Sequence, residues 1–195
     1  MKKILLFDFD GVLIDSEGFY NNLWKSLLKD YKICFDEKCL IGKTNQQFLM
    51  QFDFDVPQIA NLIEIKAKIE TNYFEREKMN PLISLLIAQL SSKYKMGIVS
   101  NNNFANIKGF LSNNKCSDYF DYLVTSESGV PAKPAPDSYL NAISFFKCNK
   151  EQVLVLEDSP IGMKAAENAG LDCVLFTHHA LKQSIQKLEI ALNSN

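Results

Sequence analysis

Short, almost continuously apolar runs alternate with amphipathic stretches along most of this chain, and that alternation limits the fold more than any other feature. The runs fall at residues 3–9, 96–100, 122–125, 153–156 and 173–176. A strand that is apolar at nearly every position must be covered on both faces, as in a parallel sheet flanked by helices. Helical spacing at 82–93, 104–113, 136–146 and 160–169 supplies the crossovers, and 181–192 reads as a closing helix. Right-handed βαβ connections then give an α/β core built on a Rossmann-like parallel sheet.

Residues 16–79 break the alternation. Phe19, Leu23, Leu27 and Tyr31 recur at four-residue spacing, and Ile59, Leu62, Ile63, Ile69 and Tyr73 trace a second helical face. Pro57 suits a first helical turn. The charge-rich segments 64–68 and 75–78 read as solvated helix faces with local ion pairs. The expected organisation is a discontinuous core, residues 1–15 and 80–195, carrying a small helical insert at 16–79. A chain of 195 residues has room for a core and a smaller appendage of this kind.

Composition removes several function classes. Lys and Arg number 21 against 23 Asp and Glu, for a net charge of -2, so no nucleic-acid partner is expected. The five cysteines are odd in number and form no CxxC pair, which argues against a disulfide framework or zinc site and for a reducing cytoplasm. The start, Met1 to Phe7, briefly imitates a signal peptide, but its apolar run stops at Asp8. No apolar run approaches a bilayer span, so a cytoplasmic monomer without membrane association is expected. His178 and His179 are adjacent, would point apart, and have no acidic partner nearby; they read as ordinary loop histidines.

Chemistry-bearing residues gather at the ends of the apolar runs. Asp8 and Asp10 follow the first, where α/β sheets present their binding crevice, and Gly11 allows a sharp turn there. One carboxylate can attack an electrophile while the other handles the leaving group's proton. Glu157 and Asp158 follow the run at 153–156, with Ser159 and Pro160 as N-cap and first residue of the next helix. Carboxylates clustered in one crevice repel unless a hard cation such as Mg²⁺ holds them. Ser100 and Asn101 offer a hydroxyl and an amide to phosphate oxygens, although a polar cap before the helix at 104 explains them equally. Lys133 stands among Pro131, Pro134 and Pro136, a stiff loop suited to clamping a phosphoryl group.

Four segments, DFDGVLIDSE, VSNNN, AKPAPDSYLNAI and LEDSPIGMKAAENAG, resemble the ordered motifs of the haloacid dehalogenase superfamily. More narrowly, they are similar to its β-phosphoglucomutase-like and phosphoglycolate phosphatase-like branch. The resemblance implies a Mg²⁺-dependent enzyme acting on a small phosphorylated metabolite through an aspartyl-phosphate. It implies Asp8 as nucleophile and metal ligand. It makes Asp10 the general acid/base, with its backbone carbonyl on the metal. Asp158 is implied as a further ligand, and Glu157 as one acting directly or through water. Ser100 and Lys133 match phosphate-binding residues, with Asn101 beside them. The insert corresponds to a helical cap, and Lys43, in the segment Ile41-Gly42-Lys43-Thr44-Asn45, matches a cap loop that touches substrate. The family's usual glycine before residue 82 is replaced by Asn80-Pro81, a difference expected to affect packing rather than chemistry.

Asp10 favours phosphate-ester chemistry over dehalogenation, which has no alcohol to protonate. The absence of histidine around Phe19-Tyr20-Asn21 favours a phosphatase over a phosphosugar mutase. A catalytically silent binding protein on the same fold is the alternative from another class.

Overall fold

The computed structural model describes residues 1–40 and 44–193. Five strands, β1 (Ile4–Phe7), β2 (Lys95–Val99), β3 (Tyr122–Val124), β4 (Val153–Glu157) and β5 (Asp172–Leu175), form one parallel sheet in the order β3-β2-β1-β4-β5. Among the described residues eight α-helices accompany them: α1 (Glu17–Leu28), α2 (Asn45–Leu49), α3 (Val56–Phe74), α4 (Pro81–Ser91), α5 (Phe104–Asn113), α6 (Asp137–Phe146), α7 (Pro160–Ala169) and α8 (Leu181–Asn193). The α/β, Rossmann-like sheet is the fold expected from the alternating pattern.

The strands are apolar throughout because both faces are covered. Ile4 and Leu6 of β1 share one core cluster with Val153 and Val155 of β4 and with Tyr139, Ala142, Ala165 and Ala166 of α6 and α7. Their neighbours Leu5, Phe7, Leu154 and Leu156 point to the opposite face and are equally buried. The run at 3–9 outlasts the strand, since pairing stops at Phe7. Phe9 stays fully buried beyond it, edge-on to Phe110 at 5.4 Å. From β1 the chain builds outward to β2 and β3, then returns to the other side of β1 for β4 and β5. That reversal opens a crevice at the carboxyl ends of β1 and β4.

Helix starts are set locally. Asn80, Asn103 and Ser159 each accept a backbone N–H of the first turn they precede, those of Leu82, Asn106 and Gly162. Pro81 and Pro160 fill first-turn positions where a missing N–H costs nothing.

The chain divides into two compact units, Met1–Asp15 with Glu75–Asn195, and Ser16–Phe74. The smaller unit is helical and has its own core of Trp24, Leu28, Phe48, Leu49, Ile59 and Leu62. Two details differ from the sequence expectation. Tyr31 falls outside α1 and is exposed. On α3 the buried stripe is Ile59, Leu62, Lys66, Glu70 and Phe74, while Ile69 is exposed. The segment 64–68 is therefore only partly a solvated face. Glu64 and Lys68 pair in the open at 2.6 Å, but Lys66 turns inward, where it pairs with Glu70 and lies 5.4 Å from the Tyr20 ring. A buried charge is tolerated when it is paired, so periodicity in apolar residues misjudged this face.

All five cysteines are free, and burial pushes the Cys116 thiol up to about 11. Among the described residues, no helix is long and apolar enough to cross a membrane.

Candidate active site

Three strand ends, those of β1, β2 and β4, and one loop meet at the crevice. Asp8 leaves β1 with its backbone N–H donated to Leu156 O at 2.9 Å, which locks it beside the end of β4. Glu157, the last residue of β4, is completely buried, and Asp158 follows it. Lys133 comes from the loop between β3 and α6. Its ammonium donates to Asp8 Oδ1 at 2.8 Å, Glu157 Oε1 at 2.6 Å and Val99 O at 2.7 Å, using all three of its protons. Burial alone would pull this lysine down, but the carboxylates of Asp8 and Glu157 outweigh it and raise it, so it stays charged.

One ammonium does not balance the acids around it. Asp8, Glu157 and Asp158 place one carboxylate oxygen each within 4.8 Å of one another. Burial, then the charges of Asp8 and Glu157, push Asp158 up to about 7. Glu157 is raised by burial and by Asp8, against the pull of Lys133. The Tyr139 hydroxyl, held protonated by burial and by Glu157, donates to Glu157 Oε1 at 2.5 Å. Oε1 thus receives two donors while Oε2 is buried with no hydrogen-bond partner among the described residues. An all-oxygen, excess-negative cluster with an orphaned lone-pair site suits a hard divalent cation. Mg²⁺ fits these residues.

Two glycines make the crowding possible. Gly11 has φ +76°, and a Cβ there would lie 1.8 Å from Asp158 Oδ2. A Cβ on Gly162 would lie 2.0 Å from Glu157 Oε2. Gly11 also donates its N–H to Ile14 O at 2.7 Å, closing the loop that carries Asp10. On the same loop, His178 Nε2–H donates to Val12 O at 3.0 Å, and burial lowers that imidazole. Neither His178 nor His179 joins the acidic cluster.

The remaining candidates follow β2. Ser100 is buried, and its Oγ accepts the Asn102 N–H at 3.0 Å. Asn101 Oδ1 accepts the Lys133 backbone N–H at 3.1 Å, so its side chain fixes the lysine loop. Asp10 Oδ2 accepts from Asn102 Nδ2 at 2.8 Å. The structure therefore joins Asp8, Glu157, Asp158 and Lys133 directly, and links Asp10, Ser100 and Asn101 to them through Asn102 and the lysine loop. Lys43 lies outside the described residues.

Sequence reasoning passed over Tyr139 and Asn106, and took Asn102 only as one of the amides after the second run, not as a partner of Asp10. A tyrosine on the buried face of α6 needs a partner for its hydroxyl, which was a usable signal. Three consecutive asparagines need only one as a helix cap, which left two to explain.

The chain matches known proteins in family and in fold. Residues 5–176 match the family described as haloacid dehalogenase-like hydrolase. Validoxylamine A 7'-phosphate phosphatase of Streptomyces hygroscopicus subsp. limoneus is 26% identical, over 98% of this chain and 93% of its own. Fructose-1-phosphate phosphatase YqaB of Escherichia coli (strain K12) is 25% identical, over 87% of this chain and 94% of its own. Among solved structures, CbbY from Rhodobacter sphaeroides in complex with phosphate shares the fold. Its TM-score is 0.74 at 22% identity, covering 89% of this chain and 85% of that one.

Proposed function

Because the chain belongs to the haloacid dehalogenase-like hydrolases, we propose that it is a Mg²⁺-dependent phosphatase that hydrolyses a small phosphate monoester through an aspartyl-phosphate. The observation that carries this reading is the ion pair of Asp8 with buried Lys133, set against Glu157 and Asp158 at the strand ends. Relatives named as phosphatases of phosphorylated carbohydrates support a sugar phosphate or similar metabolite as substrate.

In this reading Asp8 is the nucleophile. Its carboxylate forms a bond to phosphorus as the bond from phosphorus to the ester oxygen breaks. Asp10 gives a proton to that departing oxygen, then takes one from the water that attacks the acyl phosphate. Lys133 holds the Asp8 carboxylate in place and offsets the charge of an incoming phosphoryl group. Ser100 and Asn101 flank the phosphate position. Asp8, Asp158, the Asp10 carbonyl and Glu157 would hold Mg²⁺, with Oε2 the Glu157 oxygen left for it or for one of its waters. When bound, the ion supplies Lewis-acid stabilisation of the phosphoryl oxygens. The helical unit at 16–74, inserted after the Asp10 loop, serves in this reading as the cap that selects substrate, with Lys43 as a contact to its distal part.

Phosphate release from an aryl phosphate, with Mg²⁺ and with chelator, tests the reading. Turnover is expected only with Mg²⁺ and is lost in Asp8→Asn. No turnover under any condition, or Asp8→Asn equal to wild type, would overturn it.

A further inference from the structure

The side chain of Asn102 can face Asp10 in only one orientation. Its Oδ1 accepts the backbone N–H of Asn103 at 2.8 Å and Asn106 Nδ2 at 2.9 Å. A backbone N–H can only donate, so exchanging the amide's oxygen and nitrogen would set donor against donor. The atom presented to Asp10 is therefore Nδ2, 2.8 Å from Asp10 Oδ2. The support behind it is firm. Asn106 is 1% exposed in the first turn of α5, and the Asn102 main chain is tied to Ser100 Oγ at 3.0 Å.

We propose that Asn102 is a positioning residue for the acid/base step: it holds Asp10 so that Oδ1, not Oδ2, carries the proton delivered to the leaving group. The inference rests on the reading of Asp10 as general acid/base. An N–H aimed at Oδ2 is accepted best by an unprotonated, carbonyl-like oxygen, so a protonated Asp10 favours its proton on Oδ1. In the forward step the phosphorus–ester bond breaks with its electron pair going to the ester oxygen. That oxygen takes the Oδ1 proton, and Asp10 is left as a carboxylate. The Asn102 N–H is already in place on Oδ2 to stabilise that negative charge, without reorganisation at the moment of transfer. Neither Asn102 nor Asn106 needs to touch substrate.

A residue that positions a general acid matters in proportion to how badly the leaving group needs a proton. Phenyl phosphate and p-nitrophenyl phosphate have nearly the same shape, but nitrophenolate departs readily without one. Asn102→Ala is expected to lose about tenfold more kcat/KM on phenyl phosphate than on p-nitrophenyl phosphate, a fraction of the whole general-acid effect. Mg²⁺ binding by the substrate-free protein should be unchanged. Asn102→Ser, too short to span to Asp10, should behave alike, and melting curves would confirm that both variants fold. Asp10→Asn is run beside them and should show the larger leaving-group dependence. If Asp10→Asn shows it and the Asn102 variants lose equally on both esters, the role of Asn102 is overturned while that of Asp10 stands. If Asp10→Asn itself loses equally on both, the acid/base reading falls and this inference with it. Wild-type protein inactive on both esters would overturn the two together.

Discussion

Tyr139 and Lys133 converge on one oxygen of Glu157, and that convergence decides what the other oxygen is for. Two donors, at 2.5 and 2.6 Å, saturate Oε1, while Oε2 remains buried and without a hydrogen-bond partner among the described residues. Groups behind a metal ligand typically change affinity by about 10–100-fold when removed. Tyr139→Phe deletes only the hydroxyl and keeps the ring that fills the core. It should weaken Mg²⁺ binding by about tenfold in calorimetric titration of substrate-free protein, at the lower end of that range. Unchanged affinity would show that Lys133 alone orients the glutamate. At this scale the carboxylates were legible in the sequence because they follow apolar runs, and the lysine because prolines surround it. The supporting residues were not, since a tyrosine or asparagine declares its partner only once β4, α6 and the β2 end are brought together. Gly162 shows the same limit: inside a helical pattern it looks like a weak helix former, yet its missing Cβ is what admits Glu157.

The elements were easier to read where apolar spacing set them, and harder where a charge joined the core. Strands β1, β2, β4 and β5 lie within a residue or two of their apolar runs, and Asn80, Asn103 and Ser159 mark helix starts by their own side chains. On α3, pattern and structure part at Lys66 and Glu70, both buried. Their mutual pairing offsets the cost of inward charge, and their long aliphatic stems pack as apolar side chains would. Lys66→Met should destabilise the helical unit by about 3–5 kcal/mol, because it leaves Glu70 buried without its cation. Combining Lys66→Met with Glu70→Leu should recover most of that loss. Chemical denaturation of the two variants measures the difference. Equal stability of the single and double variants would mean that the pair contributes nothing through its charge.

At the scale of the molecule, a net charge of -2 gave no hint of an anion-handling site, because its charges are local. The sheet order collects acids from β1 and β4 and a lysine from beyond β3, with Asp8 more than a hundred positions from the others in sequence. This concentration has a pH signature. Asp158 is raised from an ordinary carboxylate to about 7 in the metal-free fold. A carboxyl raised on folding favours the native state while protonated, so its contribution is present below the unfolded value. That contribution is lost as the pH rises through about 7. Mg²⁺ needs the ionised form, so its stabilising effect should grow across the same interval. Melting curves with chelator and with Mg²⁺, compared at about pH 5 and about pH 8, should show the larger metal-induced rise at the higher pH. Asp158→Asn should flatten the difference. A rise that is independent of pH would place the cation elsewhere.

The covalent step at Asp8 is the centre of the proposed chemistry, and it can be trapped. An acyl phosphate on an aspartate is reduced by borohydride to homoserine, whereas a free carboxylate is not. Enzyme quenched during turnover with Mg²⁺ and an aryl phosphate, then reduced, digested and sequenced by mass spectrometry, should contain homoserine at position 8 and aspartate at position 10. The same treatment without substrate should leave both unchanged. Homoserine at position 10, or an active enzyme quenched in turnover with position 8 still aspartate, would contradict Asp8 as the nucleophile.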